Sequence, residues 1–206
     1  MMSGKVKEVL ERHYAKPRAP WTRTEPPREL VELIESGKVA PCKAIDVGCG
    51  EGFNSIYLAS KGFDVLGIDL SERAIRYAKE NAARRGVKVR FIVMDIADLG
   101  QITEKFDFVL EWFLLHQITP LQRQKYVKDV AKILNRNGKY LSVCFNQQSA
   151  EFGNPGEKYR ISPSGMKLYF SSQRELKELF EQYFHIIEMK LLRTPHVANY
   201  FFMEKP

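Results

Sequence analysis

At 206 residues, with 44% hydrophobic and 28% charged residues, the chain has the size and balance of one ordinary soluble domain, and its short apolar runs exclude a membrane-spanning helix. Met1 to Pro20 mixes Lys, Arg, Glu and His without an apolar stretch, so no secretory signal is expected and the expected location is the cytoplasm. The formal charge of +7 admits a nucleic-acid partner but does not favour one, because basic and acidic residues interleave, as in Lys79-Glu80 and Arg174-Glu175-Leu176-Lys177-Glu178, in the manner of solvated helix faces.

The first forty residues read as a helical cap: an amphipathic segment, a Pro-rich turn from Lys16 to Pro27, and a helix from Arg28 to Ser36 stopped by Gly37. Ala44 to Val47 is a short apolar strand ended by Gly48, and a helix follows from Asn54 to Ser60. Phe63 to Ile68 is a second strand. Ser71 is an N-cap candidate for a helix running to Gly86, and Val87 to Val93 is the third strand. Phe106 to Leu110 is the fourth, and Thr119-Pro120 opens a helix that runs to about Asn137-Gly138. Tyr140 to Phe145 is the fifth strand. From Asn146 to Ser164 the chain is rich in Gly, Pro, Ser and Asn without a period, a loop of the kind that covers a site. Ser172 and Glu175 form a capping box for a helix to about Phe184, after which His185 to Leu192 and Val197 to Met203 make a hairpin across Arg193-Thr194-Pro195.

Alternating strands and helices predict an α/β fold, a doubly wound, seven-stranded, mostly parallel Rossmann-like sheet with an N-terminal helical cap and a C-terminal antiparallel hairpin. The expected division is one domain, 1–206, made of a cap (1–40), a core (41–145), a lid loop (146–170) and a C-terminal helix and hairpin (171–206). Ligands of such sheets bind beyond the strand C-termini. Cys42, Cys49 and Cys144 have neither disulfide nor metal spacing, so the thiols are expected reduced and no metal is expected.

The strongest chemical signal is Asp46-Val47-Gly48-Cys49-Gly50-Glu51-Gly52. Its glycines are spaced G-x-G-x-G, where a dinucleotide site would space them G-x-G-x-x-G to hold a pyrophosphate. Asp69 ends the second strand 23 positions after Asp46, where a carboxylate can accept both hydroxyls of a ribose. Met94-Asp95-Ile96 follows the third strand and Glu111-Trp112-Phe113 the fourth.

Ala44 to Phe145, about half the chain, resembles the class I S-adenosylmethionine-dependent methyltransferases, with the glycine turn as their motif I. The resemblance implies S-adenosylmethionine as cofactor and S-adenosylhomocysteine as product. The cofactor contacts it implies are Asp46, Gly48, Cys49, Gly50, Asn54, Asp69, Leu70, Asp95 and Ile96, with Asp69 on the ribose and Asp95 and Ile96 at the adenine, and Glu111 and Trp112 near the methionine end. The Asn/Asp-Pro-Pro-aromatic motif of amine-methylating members is absent at Glu111-Trp112-Phe113. Ala19-Pro20-Trp21 is similar to a Pro-Trp element of the thiopurine, thiol and halide methyltransferase-like group, in which the Trp helps close the cofactor pocket, and Trp21 takes that role by resemblance.

The expected reaction is therefore in-line methyl transfer to a small-molecule acceptor, a thiol or similar soft nucleophile, by a monomer or homodimer. An RNA or protein methyltransferase, and a protein that binds the cofactor without catalysis, are the alternatives. His116 is the candidate general base, since its ordinary pKa of about 6.5 lets it take a proton near neutrality. Glu111 is the second catalytic candidate. A thiol of pKa about 8.5 supplies some thiolate unaided, so alignment alone can suffice. Trp112, Tyr159, Arg160 and Tyr169 are the candidate acceptor contacts, with Met166 and Phe170 as further candidates, and His196 is assigned to a turn.

Overall fold

A computed structural model describes residues 4–16, 19–193 and 196–206. The expected hairpin turn at Thr194-Pro195 lies outside them, as do Pro17 and Arg18 of the Pro-rich turn. Two helices, α1 (Gly4–Tyr14) and α2 (Arg28–Glu35), precede β1 (Lys43–Val47). There follow α3 (Phe53–Ser60), β2 (Asp64–Asp69), α4 (Glu72–Arg84), β3 (Arg90–Val93), β4 (Phe106–Trp112), α5 (Pro120–Ile133), β5 (Leu134–Phe145), β6 (Tyr159–Ile161), β7 (Lys167–Tyr169), α6 (Gln173–Phe180), β8 (His185–Leu192) and β9 (Ala198–Glu204). Short 3-10 turns at Ile96–Gln101 and Leu115–Gln117 follow β3 and β4.

Seven strands form one sheet in the order β3-β2-β1-β4-β5-β9-β8, parallel from β3 through β5 and antiparallel where β9 joins β5 and β8 joins β9. The expected seven-stranded sheet with its C-terminal hairpin is thus present. The order reverses at β1, so β1 and β4 diverge to either side of the glycine turn, and a crevice opens there. Because side chains alternate across a strand, Ile45 and Val47 enter the core beneath α5 and α6, while Ala44, with Val65, Phe108 and Leu110, packs on the opposite face against α2 and α3.

Helix α4 begins with the Ser71 hydroxyl accepting from the Ala74 amide at 3.1 Å, as expected of an N-cap. Glu11 of α1 reinforces that end: its Oε1 accepts from the Ser71 hydroxyl at 2.8 Å and the Glu72 amide at 2.7 Å. A carboxylate at a helix N-terminus meets both its free amides and its positive dipole end, which docks α1 across the mouth of the crevice.

Several boundaries differ from the sequence reading. The third strand starts at Arg90 rather than Val87, because Gly86 (φ +67°) and Val87 are used to close α4, the Val87 amide donating to the Ala82 carbonyl at 3.2 Å. Helix α5 stops at Ile133, four residues before Asn137, since Leu134 is buried and pairs with Phe106 in the sheet. The fourth strand runs on to Trp112, and α6 ends at Phe180. The stretch read as structureless contains the antiparallel pair β6 and β7, joined through Ser162 to Met166, where Gly165 takes φ +84°. Each of these strands is only three residues long, too short to show a period.

Candidate active site

The turn after β1 is shaped by backbone torsion. Gly48, Gly50 and Gly52 all have positive φ, at +75°, +54° and +80°. A Cβ on Gly48 would lie 3.1 Å from Leu114, and one on Gly50 would lie 3.0 Å from the Tyr14 hydroxyl. The amides of Gly48 and Cys49 both donate to the Ile68 carbonyl at 2.9 Å, and the Gly50 amide donates to Asp69 Oδ2 at 2.9 Å. Three successive N–H groups are therefore spent inside the protein. Those three amides are closed to a phosphate, and that stretch presents bare Cα groups instead.

Three carboxylates sit near the C-terminal ends of neighbouring strands, and their surroundings separate them. Asp46 is buried, accepting from the hydroxyl of Ser55 at 2.6 Å and from its backbone amide; burial pushes its pKa up to about 7. It ties β1 to α3 and does not reach the cavity. Glu111 is also fully buried. Its Oε1 accepts the amides of Leu114 and Leu115 at 2.8 and 2.9 Å, and its Oε2 the Ser142 hydroxyl at 2.5 Å. That grip holds a strained turn in which Phe113 has φ +59°, a region costly for an aromatic residue. Burial raises the Glu111 pKa. The residue marked as catalytic and as a cofactor contact thus has both oxygens committed to scaffolding and does not line the cavity.

Asp69 alone of the three faces the cavity. Its oxygens accept the Gly50 and Ser71 amides at 2.9 Å each, which orients the carboxylate and leaves further lone pairs on both oxygens. Desolvation raises its pKa.

A cavity of about 1240 Å³ runs from this turn to the β6–β7 segment. Compact ligand sites occupy roughly 300–1,000 Å³, so the space admits two small molecules side by side. One half is bounded by Gly48, Cys49, Gly50, Asn54, Asp69, Leu70 and Ile96, with Tyr14 and Trp21 above. The Trp21 indole N–H donates to the Tyr14 hydroxyl at 2.9 Å, which holds the two rings together at the cavity wall. The other half is aromatic and sulfur-bearing: Phe113, His116, Phe145, Phe152, Met166 and His196. Trp112 lines the cavity as well.

Other expectations are not met. Asp95 caps the 3-10 turn through the Ala97 amide at 2.9 Å and only Ile96 reaches the cavity. Tyr159 is exposed, Tyr169 donates its hydroxyl to Glu175 at 2.8 Å, and Phe170 stacks behind Phe145; none lines the cavity. Arg160 is buried, its guanidinium donating to the carbonyls of Gln147, Ser149, Glu151 and Glu157. It builds the segment and does not line the cavity. His116 does line the cavity, but its ring is buried among Phe113, Phe145 and Phe170, its Nδ1 has no partner among the described residues, and burial pushes its pKa down to about 3. A ring so reluctant to charge is a poor place to leave a proton. His196, assigned to a turn, faces the cavity and pairs with Glu151 at 2.6 Å. Tyr14 and Glu151 carried no sequence signal, since each meets its partner only through the fold.

The chain is similar to known methyltransferases. Residues 44–138 match the methyltransferase domain family. A 2-heptyl-1-hydroxyquinolin-4(1H)-one methyltransferase of Mycobacteroides abscessus is 28% identical over 177 residues, 85% of this chain and 73% of that protein. Probable thiol methyltransferase 2 of Arabidopsis thaliana is 24% identical over 165 residues, 80% of this chain and 72% of that protein. Among solved structures, a Burkholderia thailandensis 1,6-didemethyltoxoflavin-N1-methyltransferase with bound 1,6-didemethyltoxoflavin and S-adenosylhomocysteine superposes with a TM-score of 0.77 at 19% identity, over 98% of this chain and 89% of that one. At that identity the likeness speaks for the fold.

Two stability measurements test the scaffolding roles. Removing the carboxylate in Glu111→Ala orphans two buried amides and a hydroxyl, at about 1–3 kcal/mol for each unsatisfied group, so urea unfolding is expected to show a loss of at least about 3 kcal/mol, with Glu111→Gln losing less. For Asp46, the folded pKa of about 7 lies above the ordinary 3.8, so its contribution is fully present below pH 4 and is lost as pH rises towards 7. Unfolding curves of wild type and Asp46→Asn are expected to diverge over that window, the wild type losing up to roughly 4 kcal/mol more. Parallel curves would contradict the assignment.

Proposed function

The chain is a class I S-adenosylmethionine-dependent methyltransferase, and from that premise we propose that it methylates a small, largely apolar acceptor at a thiol or similarly acidic heteroatom. The observation that carries this reading is the continuity of the cavity, which joins the glycine turn to an aromatic and methionine-lined half without an intervening wall. Aromatic and thioether side chains favour a flat or sulfur-containing guest.

The residues present fit the cofactor. A turn whose amides are consumed internally suits an adenosyl group that carries no phosphate. Asp69 would take the ribose hydroxyls, Leu70 and Ile96 the adenine faces, and Gly48, Gly50 and Asn54 the methionine portion, beneath Trp21 and Tyr14. When bound, the cofactor supplies an electrophilic methyl on a sulfonium. The protein aligns the acceptor heteroatom with that methyl, through Phe113, Phe145, Phe152 and Met166, and excludes water so that the attack stays in line. Segment 146–170 covers the acceptor half. Asp95 serves by holding the turn that presents Ile96, and Glu111 by holding the turn that presents Phe113 and Leu114.

The test has two arms. Calorimetry with S-adenosylhomocysteine is expected to show binding that weakens at least tenfold, about 1.4 kcal/mol, in Asp69→Ala. An acceptor screen reading S-adenosylhomocysteine release from thiols, thiopurines, halides, carboxylates and tRNA is expected to register the apolar aromatic compounds bearing an acidic S–H or O–H. Equal affinity in the variant would remove Asp69 from the site. Turnover of tRNA, falling steeply with salt, would move the acceptor to nucleic acid, and binding without any turnover would leave a non-catalytic protein.

A further inference from the structure

This inference rests on the small-molecule methyl-transfer reading above and names a residue for it. His196 stands just before β9 and Glu151 in the segment after β5, and both line the aromatic half of the cavity. Nδ1 of His196 lies 2.6 Å from Glu151 Oε1. With a carboxylate on Nδ1, the neutral ring holds its proton there and leaves the Nε2 lone pair free. The ring sits against Phe145 and Phe113, at centroid separations of 5.4 and 6.3 Å. Phe113 is the residue before Leu114, whose side chain closes on Gly48, so adjacent residues link the wall beside His196 to the glycine turn.

The pair is braced from behind. Arg160, only 3% exposed, donates to the Glu151 and Ser149 carbonyls at 2.7 Å each. The Asn146 amide donates to the Val197 carbonyl at 2.9 Å, and the Asn146 side chain to Asn199 at 2.7 Å, so the chain leading to Glu151 is tied to the chain that follows His196. His116, on the same cavity, has no carboxylate partner among the described residues and lies buried among rings.

We propose that Glu151 and His196 form a carboxylate–imidazole pair whose Nε2 takes the proton from an acceptor that binds protonated, an aromatic hydroxyl or thiol. As the acceptor heteroatom bonds to the methyl carbon, its proton passes to Nε2, and the old carbon–sulfur bond breaks with its electron pair staying on sulfur. His196 becomes an imidazolium held by Glu151. His196 and Glu151 side chains are 26% and 34% exposed, so the proton then leaves to solvent. His196 is the catalytic residue and Glu151 positions it.

The first test needs neither cofactor nor acceptor. Long-range 1H–15N correlation on protein labelled at histidine is expected to find His196 as the Nδ1–H tautomer in the wild type, to lose that preference in Glu151→Ala, and to regain it in Glu151→Gln, which keeps an acceptor oxygen. An Nε2–H wild type, or a spectrum indifferent to residue 151, overturns the pair. The second test compares an aryl thiol already ionised at assay pH with the aryl hydroxyl of the same skeleton. General-base catalysis contributes typically 100- to 10,000-fold, so in His196→Gln the turnover ratio of hydroxyl to thiolate is expected to fall at least 30-fold, in kcat rather than KM. Equal losses on both compounds would reduce His196 to a wall of the pocket and overturn the proposal. S-adenosylhomocysteine binding reports that each variant is folded. A wild type that binds it and turns over neither compound sinks the methyl-transfer reading instead, and the tautomer result then decides the pair by itself.

Discussion

The carbonyl of Ile68 receives two amides, from Gly48 and Cys49, each at 2.9 Å, and the carboxylate of the next residue, Asp69, receives a third from Gly50. This clamp between the end of β2 and the turn after β1 sets the character of the site. It folds the backbone into torsions open mainly to glycine, and it withdraws the amides of Gly48, Cys49 and Gly50 from any ligand. It also fixes the Asp69 carboxylate at the cavity wall. The same pair of elements therefore shapes the cradle and supplies its polar anchor.

Around that clamp the protein assigns three acids to different work by burial and bonding. Asp46 and Glu111 are enclosed, satisfied by neighbouring hydroxyls and amides, and stiffen the turns after β1 and β4. Asp69 keeps a face on the cavity. Residue type alone cannot make this distinction, because an acid at a strand end looks the same whether its side chain turns inward or out. The histidines divide in the same way: His116 is walled in by rings, whereas His196 has an acidic partner.

Those facts explain how much was legible in the sequence. The seven-stranded sheet was readable from the alternation of strands and helices, and the glycine turn from a spacing that only backbone torsion demands. Asp69 was placed by its distance from that turn, with Leu70 next to it, Ile96 and Trp112 by the strand ends they follow, and Trp21 by a resembling Pro-Trp element, and all of them line the cavity. Arg160, Tyr159 and Tyr169 were misread because a polar aromatic segment has the same composition whether it binds a guest or its own carbonyls; Arg160 does the latter four times over. Glu151 and His196 meet across 45 positions, and Tyr14 approaches Gly50 only when Glu11 caps α4. No local pattern encodes such encounters.

The central claim is that the turn after Val47 and the carboxylate of Asp69 together hold an adenosyl group. A crystal structure of the protein soaked with S-adenosylhomocysteine tests it most directly. The account predicts the methionine portion lying along Gly48 to Gly50, both ribose hydroxyls on Asp69 and the thioether directed at Phe113. A ligand seated elsewhere, or a ribose that leaves Asp69 without a contact, would contradict it.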